Sequence, residues 1–536
     1  MREETTCSMV HDLLESQKCN FVRKTSDCLI NMGLFNYLAW HYCKVDVRNS
    51  FNSFWSVLGM FLIAVYVFWM MQITIKNYFC PTLMVIADFL RMNESTAGVT
   101  VLAVASGSPD FFTAIASRMQ GSKYSFLACM AQTMFLHFFV AGLVILTKPF
   151  HMQPNTYLRD FGFLFLNTVY MDYIHKRPQG ISWVAALPSA FIFVGYVVVT
   201  IVDQHLLIAR IQKMEQRQLN VAEALQLEAL RPQKELPLTR PEIDRSSIGH
   251  GSRNKRLFRQ FWNSVAEFDK DRFHRGTLLV KLYLIVKQPI DMLLRLLIPK
   301  VDMNAPLYGW SKLLFNMQVL LVPTYMAYII LRGYSVAGFA VYMIVLITMV
   351  PVAIMIFFLT RTDTPPMFFR FTSSMGFLAA VFLIFCLTTE VNAMFFTMAT
   401  VLKVSQEFSL TTAICWALSS NDLVANLSLS HQGWPRMAMT ATFSAPVFGS
   451  FVFLAMPLVV NSFVEAPKNI FQPSEGKFGE TVCIFLEVGM GFSMLSVLTT
   501  NFKLRRACGF LLVTYYIFFL GVLILLEKGQ IHAYGV

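Results

Sequence analysis

Two carboxylates interrupt apolar stretches of this 536-residue chain: Asp110 in TVLAVASGSPDFFTAIAS (Thr100–Ser117) and Asp422 in TAICWALSSNDLVANLSL (Thr412–Leu429). A carboxylate at bilayer depth costs about 2.5–3.5 kcal/mol on insertion scales, so each predicts a partner or a function. They stand 312 residues apart, and the same interval superposes Thr100 on Thr412, Ala105 on Ala417 and Ser108 on Ser420. Hydroxyls surround both: Thr100, Ser106 and Ser108 near the first, Thr412, Ser419 and Ser420 near the second. Gly107, Pro109 and Asn421 are placed to break the helices, and an unwound turn frees main-chain carbonyls to face a ligand. Such oxygens suit Ca2+, which takes about six to eight hard ligands, and Na+ is served by the same groups. Asp110 and Asp422 would supply the charge at the metal. Two matched interrupted segments, one in each half, predict a transporter's binding site. No covalent chemistry is suggested and no phosphate-binding loop is visible. No enzyme and no cofactor is therefore expected, and an ion gradient would be the driving force.

The composition sets the elements that must position these residues. The chain is 55% hydrophobic and 14% charged, where soluble domains carry about a quarter charged residues. The expected class is an all-α polytopic membrane protein in contact with lipid. The formal net charge is +12, and residues 204–300 hold 18 Lys/Arg against 10 Asp/Glu. Such a concentration fits the positive-inside bias of a large basic loop between two halves and argues against a nucleic-acid partner. Cys7, Cys19, Cys28 and Cys43 lie in a polar N-terminal segment and predict disulfides on an oxidising side, with the pairing open.

Hydropathy predicts about 12 transmembrane helices. Residues 1–53 form an N-terminal extramembrane segment, and 54–203 a first repeat of five spans with its interrupted part at 97–147. Phe54–Ile75 is the first span, a polar connection through Lys76, Asp88 and Arg91 follows, and Arg159 and Asp160 separate the third span from the fourth, Phe161–Met171. A basic inside loop covers 204–306 and an extra transmembrane hairpin 307–361. A second repeat of five spans covers 370–526, with its interrupted part at 409–460, and a tail follows at 527–536. With the basic loop inside, the N-terminus falls outside and the interrupted segments cross in opposite directions. That is the pattern of two inverted-topology helical repeats.

The same residues carry a resemblance. GVTVLAVASGSPDFFTAIAS resembles the first α-repeat of the cation/calcium exchanger superfamily, approximately GNGAPD, and ALSSNDLVANLSLSHQGWPRMAM the second, approximately GNSxGDLxAD. QGWPRMAM (Gln432–Met439), CNFVRKTSDC (Cys19–Cys28) and NYFCPTL (Asn77–Leu83) resemble the branch of mitochondrial sodium/calcium exchangers, which also exchange lithium. The resemblance implies antiport of Ca2+ for Na+ or Li+ by alternating access. It also implies ion-binding roles for Asp110, Ser419, Asp422 and, one helix before the second repeat, Glu390. Ser106 and Leu418 stand where the pattern has Asn, Asn421 where it has Gly, Asn426 where it has an acid, and Gly449 where it has Asn. These departures keep two alternatives open: a Ca2+/H+ exchanger, and a transport-inactive paralogue with a regulatory or interaction role, for which Leu418 argues most. The cysteines point to the plasma membrane and the resemblance to the mitochondrial inner membrane.

Overall fold

The computed structural model describes residues 7–25, 28, 35–45, 50–90, 92–107, 124–176, 183–216, 256–266, 270–300, 309–331, 335–336, 338–366, 372–452 and 477–531. Almost all of this is helix. Seven helices among the described residues are long and apolar enough to cross a membrane: Phe51–Ala87, Phe126–Thr147, Leu187–Arg210, Val341–Leu359, Thr372–Val401, Lys477–Thr499 and Arg506–Glu527. In lipid a spanning backbone must satisfy its own hydrogen bonds, and a helix does so within one segment. The chain is an integral multi-pass membrane protein.

Two expectations are corrected. The expected polar connection after Ile75 is helical: a π-helical turn at Ile75–Phe79 leads straight into the helix Cys80–Phe89. Pro81 supplies the reason, because a proline ring clashes with the carbonyl four residues earlier and a widened turn accommodates it. Arg159 and Asp160 do not end a span but lie inside the helix Pro154–His175, which Pro154 opens. Their opposite charges meet each other at 2.7 Å, so the helix carries them as a pair. The helix Trp183–Gln216 runs past position 204, as expected of an Ala-, Leu-, Gln- and Glu-rich run leaving the membrane. Three further helices follow within the loop, Leu257–Val265, Lys270–Arg275 and Leu278–Leu297.

The chain divides into two compact units, the first made of Met1–Ile75, Arg91–Gln233 and Ile384–Val536, the second of Lys76–Leu90 and Lys234–Leu383. In the second unit the helices Lys312–Ile330 and Val341–Leu359 form a hairpin, closed by a two-residue ladder pairing Ser335 with Ala340 and Val336 with Phe339. The buried Lys312 ammonium donates to the Thr360 carbonyl at 2.9 Å and lies 4.2 Å from the Phe357 ring centre, which offsets its desolvation.

The core of the first unit combines aliphatic side chains with aromatic ones, among them Phe135, Phe138, Tyr157, Phe161, Phe443, Tyr516 and Phe519. Gly142 and Gly509 let two of its helices touch backbone to backbone: a Cβ on Gly509 would lie 2.7 Å from the Gly142 carbonyl oxygen. Small residues at such a crossing are the usual basis of close helix packing in membranes. Gly509→Ala is expected to cost about 1–3 kcal/mol, as overpacking does, and to lower the melting temperature of the purified protein. Gly521→Ala, with nothing within 4 Å of its Cβ, should leave it unchanged.

The N-terminal segment packs as a cap on the same unit. Disulfides join Cys7 to Cys28 and Cys19 to Cys43. Cys7, Val10, Val22, Cys28, Leu38 and Tyr42 form one buried cluster with Phe396 and Ile414, and Leu410 and Leu418 pack against it. His11 bonds the Thr400 carbonyl at 2.6 Å, and the Tyr37 hydroxyl donates to Glu390 at 2.7 Å. His41 is fully buried against Ser56 Oγ at 2.7 Å, and burial lowers its pKa from 6.5 to about 4. The unfolded chain therefore binds a proton that the folded cap refuses. Stability from this group is complete above about pH 6.5 and is lost as pH falls towards 4. Limited proteolysis ahead of Phe54 should quicken across that window, and less so in His41→Asn.

A candidate cation site at two interrupted helices

Up to Gly107 and Ser419, the two segments share one order of secondary structure at the 312-residue interval. Each opens on a side-chain cap: Asn93 Oδ1 accepts from the Thr96 amide at 2.7 Å, and Ser405 Oγ from the Phe408 amide at 3.2 Å. Each continues as a short α-helix, Glu94–Ala97 and Gln406–Ser409, then a π-helical turn, Gly98–Leu102 and Leu410–Ile414. Each returns to α-helix, Ala103–Ser106 and Cys415–Leu418, and breaks. The break falls at Gly107 (φ −81°, ψ 0°) and at Ser419 (φ −89°, ψ 7°). In both π turns a threonine hydroxyl donates back to the carbonyl four residues earlier at 2.6 Å, Thr100 to Thr96 and Thr412 to Phe408. Back-bonded hydroxyls of this kind bend helices.

Asn421 was expected to break the second segment, and this is corrected. It lies in the first turn of the helix Ser420–Gln432, and the interruption is at Ser419. Ser420 Oγ donates to the Ala417 carbonyl across that interruption at 2.6 Å, and this local bond moves the break ahead of Asn421.

The helix Pro435–Ser450 holds the first segment in place. Every residue in it but Arg436 is buried. Gly98 meets it at close range: a Cβ there would lie 2.8 Å from the Met437 carbonyl oxygen. Ser444 Oγ donates to the Gly98 carbonyl at 3.2 Å.

The two segments meet at Ser106. Its carbonyl accepts a hydrogen bond from Asn421 Nδ2, its hydroxyl donates to the Ala103 carbonyl at 3.5 Å, and its side chain lies beside the Asp422 carboxyl group. Ser106, Ser419, Ser420, Asn421 and Asp422 are all buried, none more than 5% exposed. Among the described residues, Ser419 Oγ, Asn421 Oδ1, Asp422 Oδ1 and Asn426 Oδ1 are buried without a hydrogen-bond partner. An unsatisfied buried polar atom costs about 1–3 kcal/mol, so these oxygens are an acceptor set in want of a donor or a cation. Ser108, Pro109 and Asp110 lie outside the described residues. Glu390 is engaged by Tyr37 of the N-terminal cap.

Two features of this region do not stand out in the sequence. Asn426 shows there only as a departure from the exchanger pattern, yet it is 1% exposed and sits one turn beyond Asp422. Its spacing of four from a membrane carboxylate is the signal that could have found it. Arg159 also reaches Asp203 at 2.8 Å and Ser95 at 2.7 Å, so it ties two helices to the start of the first interrupted segment. Beside it, a cavity of about 70 Å³ is lined by Asn93, Glu94, Arg159, Asp203, Arg436 and Thr440. The adjacent Arg159-Asp160 pair is its trace in the sequence. His137 bonds Ser493 Oγ at 3.0 Å and serves to join two helices.

A helical membrane protein with like interrupted helices meeting at a buried carboxylate has the design of a membrane transporter. Residues 58–202 and 372–525 match the family described as sodium/calcium exchanger protein, and the chain belongs to that family. It is similar to the mitochondrial sodium/calcium exchanger protein of Rattus norvegicus, 26% identical over 98% of this chain and 90% of the relative. The Homo sapiens protein of the same name is 25% identical with the same coverage. Cation/calcium exchanger 1 of Arabidopsis thaliana is 23% identical over 94% of this chain and 86% of the relative. A solved structure of the sodium-calcium exchanger NCX_Mj is 11% identical at a TM-score of 0.41, covering 86% of this chain and 97% of that one.

Proposed function

We propose that the chain is a secondary active antiporter that exchanges Ca2+ for a monovalent cation, Na+ or Li+, by alternating access to one site. The observation that carries this reading is the buried Asp422 carboxyl beside Ser106, where two segments of repeated design meet. Asp422 and Asp110 supply charge, and Ser106, Ser419, Thr100, Thr412, Ser108 and Ser420 supporting oxygens. Ca2+ requires such a hard oxygen set. Glu390, which accepts from the Tyr37 hydroxyl, is a further ion-binding carboxylate, as the exchanger resemblance implies. The halves 54–203 and 370–526 act as inverted repeats that rock about the site, with the basic loop inside. The relatives named mitochondrial favour the mitochondrial inner membrane, and the disulfide-held cap suits the plasma membrane as well.

Flux of ⁴⁵Ca²⁺ in proteoliposomes tests the reading, with a Na+ gradient, a Li+ gradient and a pH gradient imposed in turn. Uptake driven by Na+ or Li+ is expected. Uptake driven by pH alone would transfer the reading to Ca2+/H+ exchange, and no uptake by folded protein would make the chain a transport-inactive paralogue.

A further inference from the structure

The Asn421 side chain is 3% exposed, and its Nδ2 donates to the main-chain carbonyl of Ser106. A carbonyl only accepts, so the amide must present its NH2 to Ser106 and turn Oδ1 away. That Oδ1 is one of four buried oxygens within the stretch from Ser419 to Asn426 that have no hydrogen-bond partner. Ser419, Asp422 and Asn426 follow one another at i, i+3 and i+7, along one side of the helix, and Asn421, the residue before Asp422, turns to the Ser106 carbonyl.

The first segment has no equivalent. The 312-residue interval places Pro109 opposite Asn421, and proline has neither a side-chain donor nor a backbone N–H. The exchanger pattern has glycine at this position and its neutral Asn at 418. In this chain Leu418 packs instead with Leu410 and Ile414 against the N-terminal cap. The neutral oxygen missing at 418 has a substitute three residues on.

We infer that Asn421 is a cation ligand of this site, oriented by its own hydrogen bond. The Ser106 carbonyl holds its NH2, which sets Oδ1 to coordinate the ion beside Asp422, with Asn426 Oδ1 one turn further along. The inference rests on the exchange reading above. An amide oxygen contributes a dipole rather than a charge, and ion–dipole attraction scales with the charge of the ion. Loss of Asn421 should therefore weaken Ca2+ more than Na+.

Equilibrium binding of ⁴⁵Ca²⁺ to the purified full chain, competed with Na+, tests this in wild type, Asn421→Ala, Asn421→Ser and Asn426→Ala, with melting temperature recorded for each. Asn421→Ser covers the case in which the alanine variant fails to fold. Expected is an increase of about tenfold or more in the Ca2+ dissociation constant of the 421 variants and a smaller increase in Asn426→Ala. The Ca2+/Na+ affinity ratio should shift towards Na+. Folded 421 variants within about twofold of wild type in both affinity and ratio would overturn the inference, as would an equal loss for both ions, the mark of a purely structural contact. Wild-type protein that binds neither ion would overturn the exchange reading and this inference with it.

Discussion

Asp422→Asn is expected to reduce Ca2+ flux by at least about a hundredfold while leaving the protein as stable as wild type. Asn keeps the shape of the side chain and removes its charge. At an effective dielectric of about 20, a unit charge 4 Å away is worth about 4 kcal/mol, and a divalent ion feels twice that. Even when lost solvation offsets half of it, the remainder exceeds the roughly 2.7 kcal/mol that separates a hundredfold change. The same substitution relieves a charge held at membrane depth, so folding should be unharmed. Flux and melting temperature measured on one preparation separate the two effects. A variant that transports as well as wild type would show that Asp422 is a structural carboxylate.

Removal of the disulfides should release the cap. Cys7–Cys28 and Cys19–Cys43 close loops with sequence separations of 21 and 24. Loops of this length constrain the unfolded segment by about 2–4 kcal/mol each. The cluster they hold covers Leu410, Ile414 and Leu418 of the second interrupted segment, and the same cap carries the Tyr37–Glu390 bond. Cys7→Ser with Cys19→Ser, or treatment with reductant, is therefore expected to make the segment up to Val45 protease-sensitive and to slow flux several-fold. Reductant should leave the double variant unaffected. An unchanged digestion pattern in reduced wild type would show that packing alone holds the cap.

Much of this fold is legible in the amino-acid order, for a physical reason. Charge in an apolar stretch is expensive, so Asp110 and Asp422 stand out, and spans of apolar residues follow from bilayer thickness. The exchanger resemblance of GVTVLAVASGSPDFFTAIAS agrees with the family match over both halves. What stays hidden depends on partners distant in the chain. Arg159 reads as the end of a span because Asp203 and Ser95, which receive its charge, lie 44 and 64 residues away. Leu418 reads as a lost ligand because the cap it serves is hundreds of residues earlier. The bond from Ser420 to the Ala417 carbonyl that places the second break at Ser419 has no trace in the residue order, which is why Asn421 rather than Ser419 suggests itself as the break.

On the exchange reading, Asp110 and Asp422 hold the same ion. Equilibrium ⁴⁵Ca²⁺ binding to wild type, Asp110→Asn, Asp422→Asn and the double variant tests it directly. One tight binding event is expected in wild type, lost in either single variant, with the double variant no worse than each. Tight binding retained in Asp110→Asn, or losses that add independently in the double variant, would contradict it, because the two carboxylates would then serve separate places.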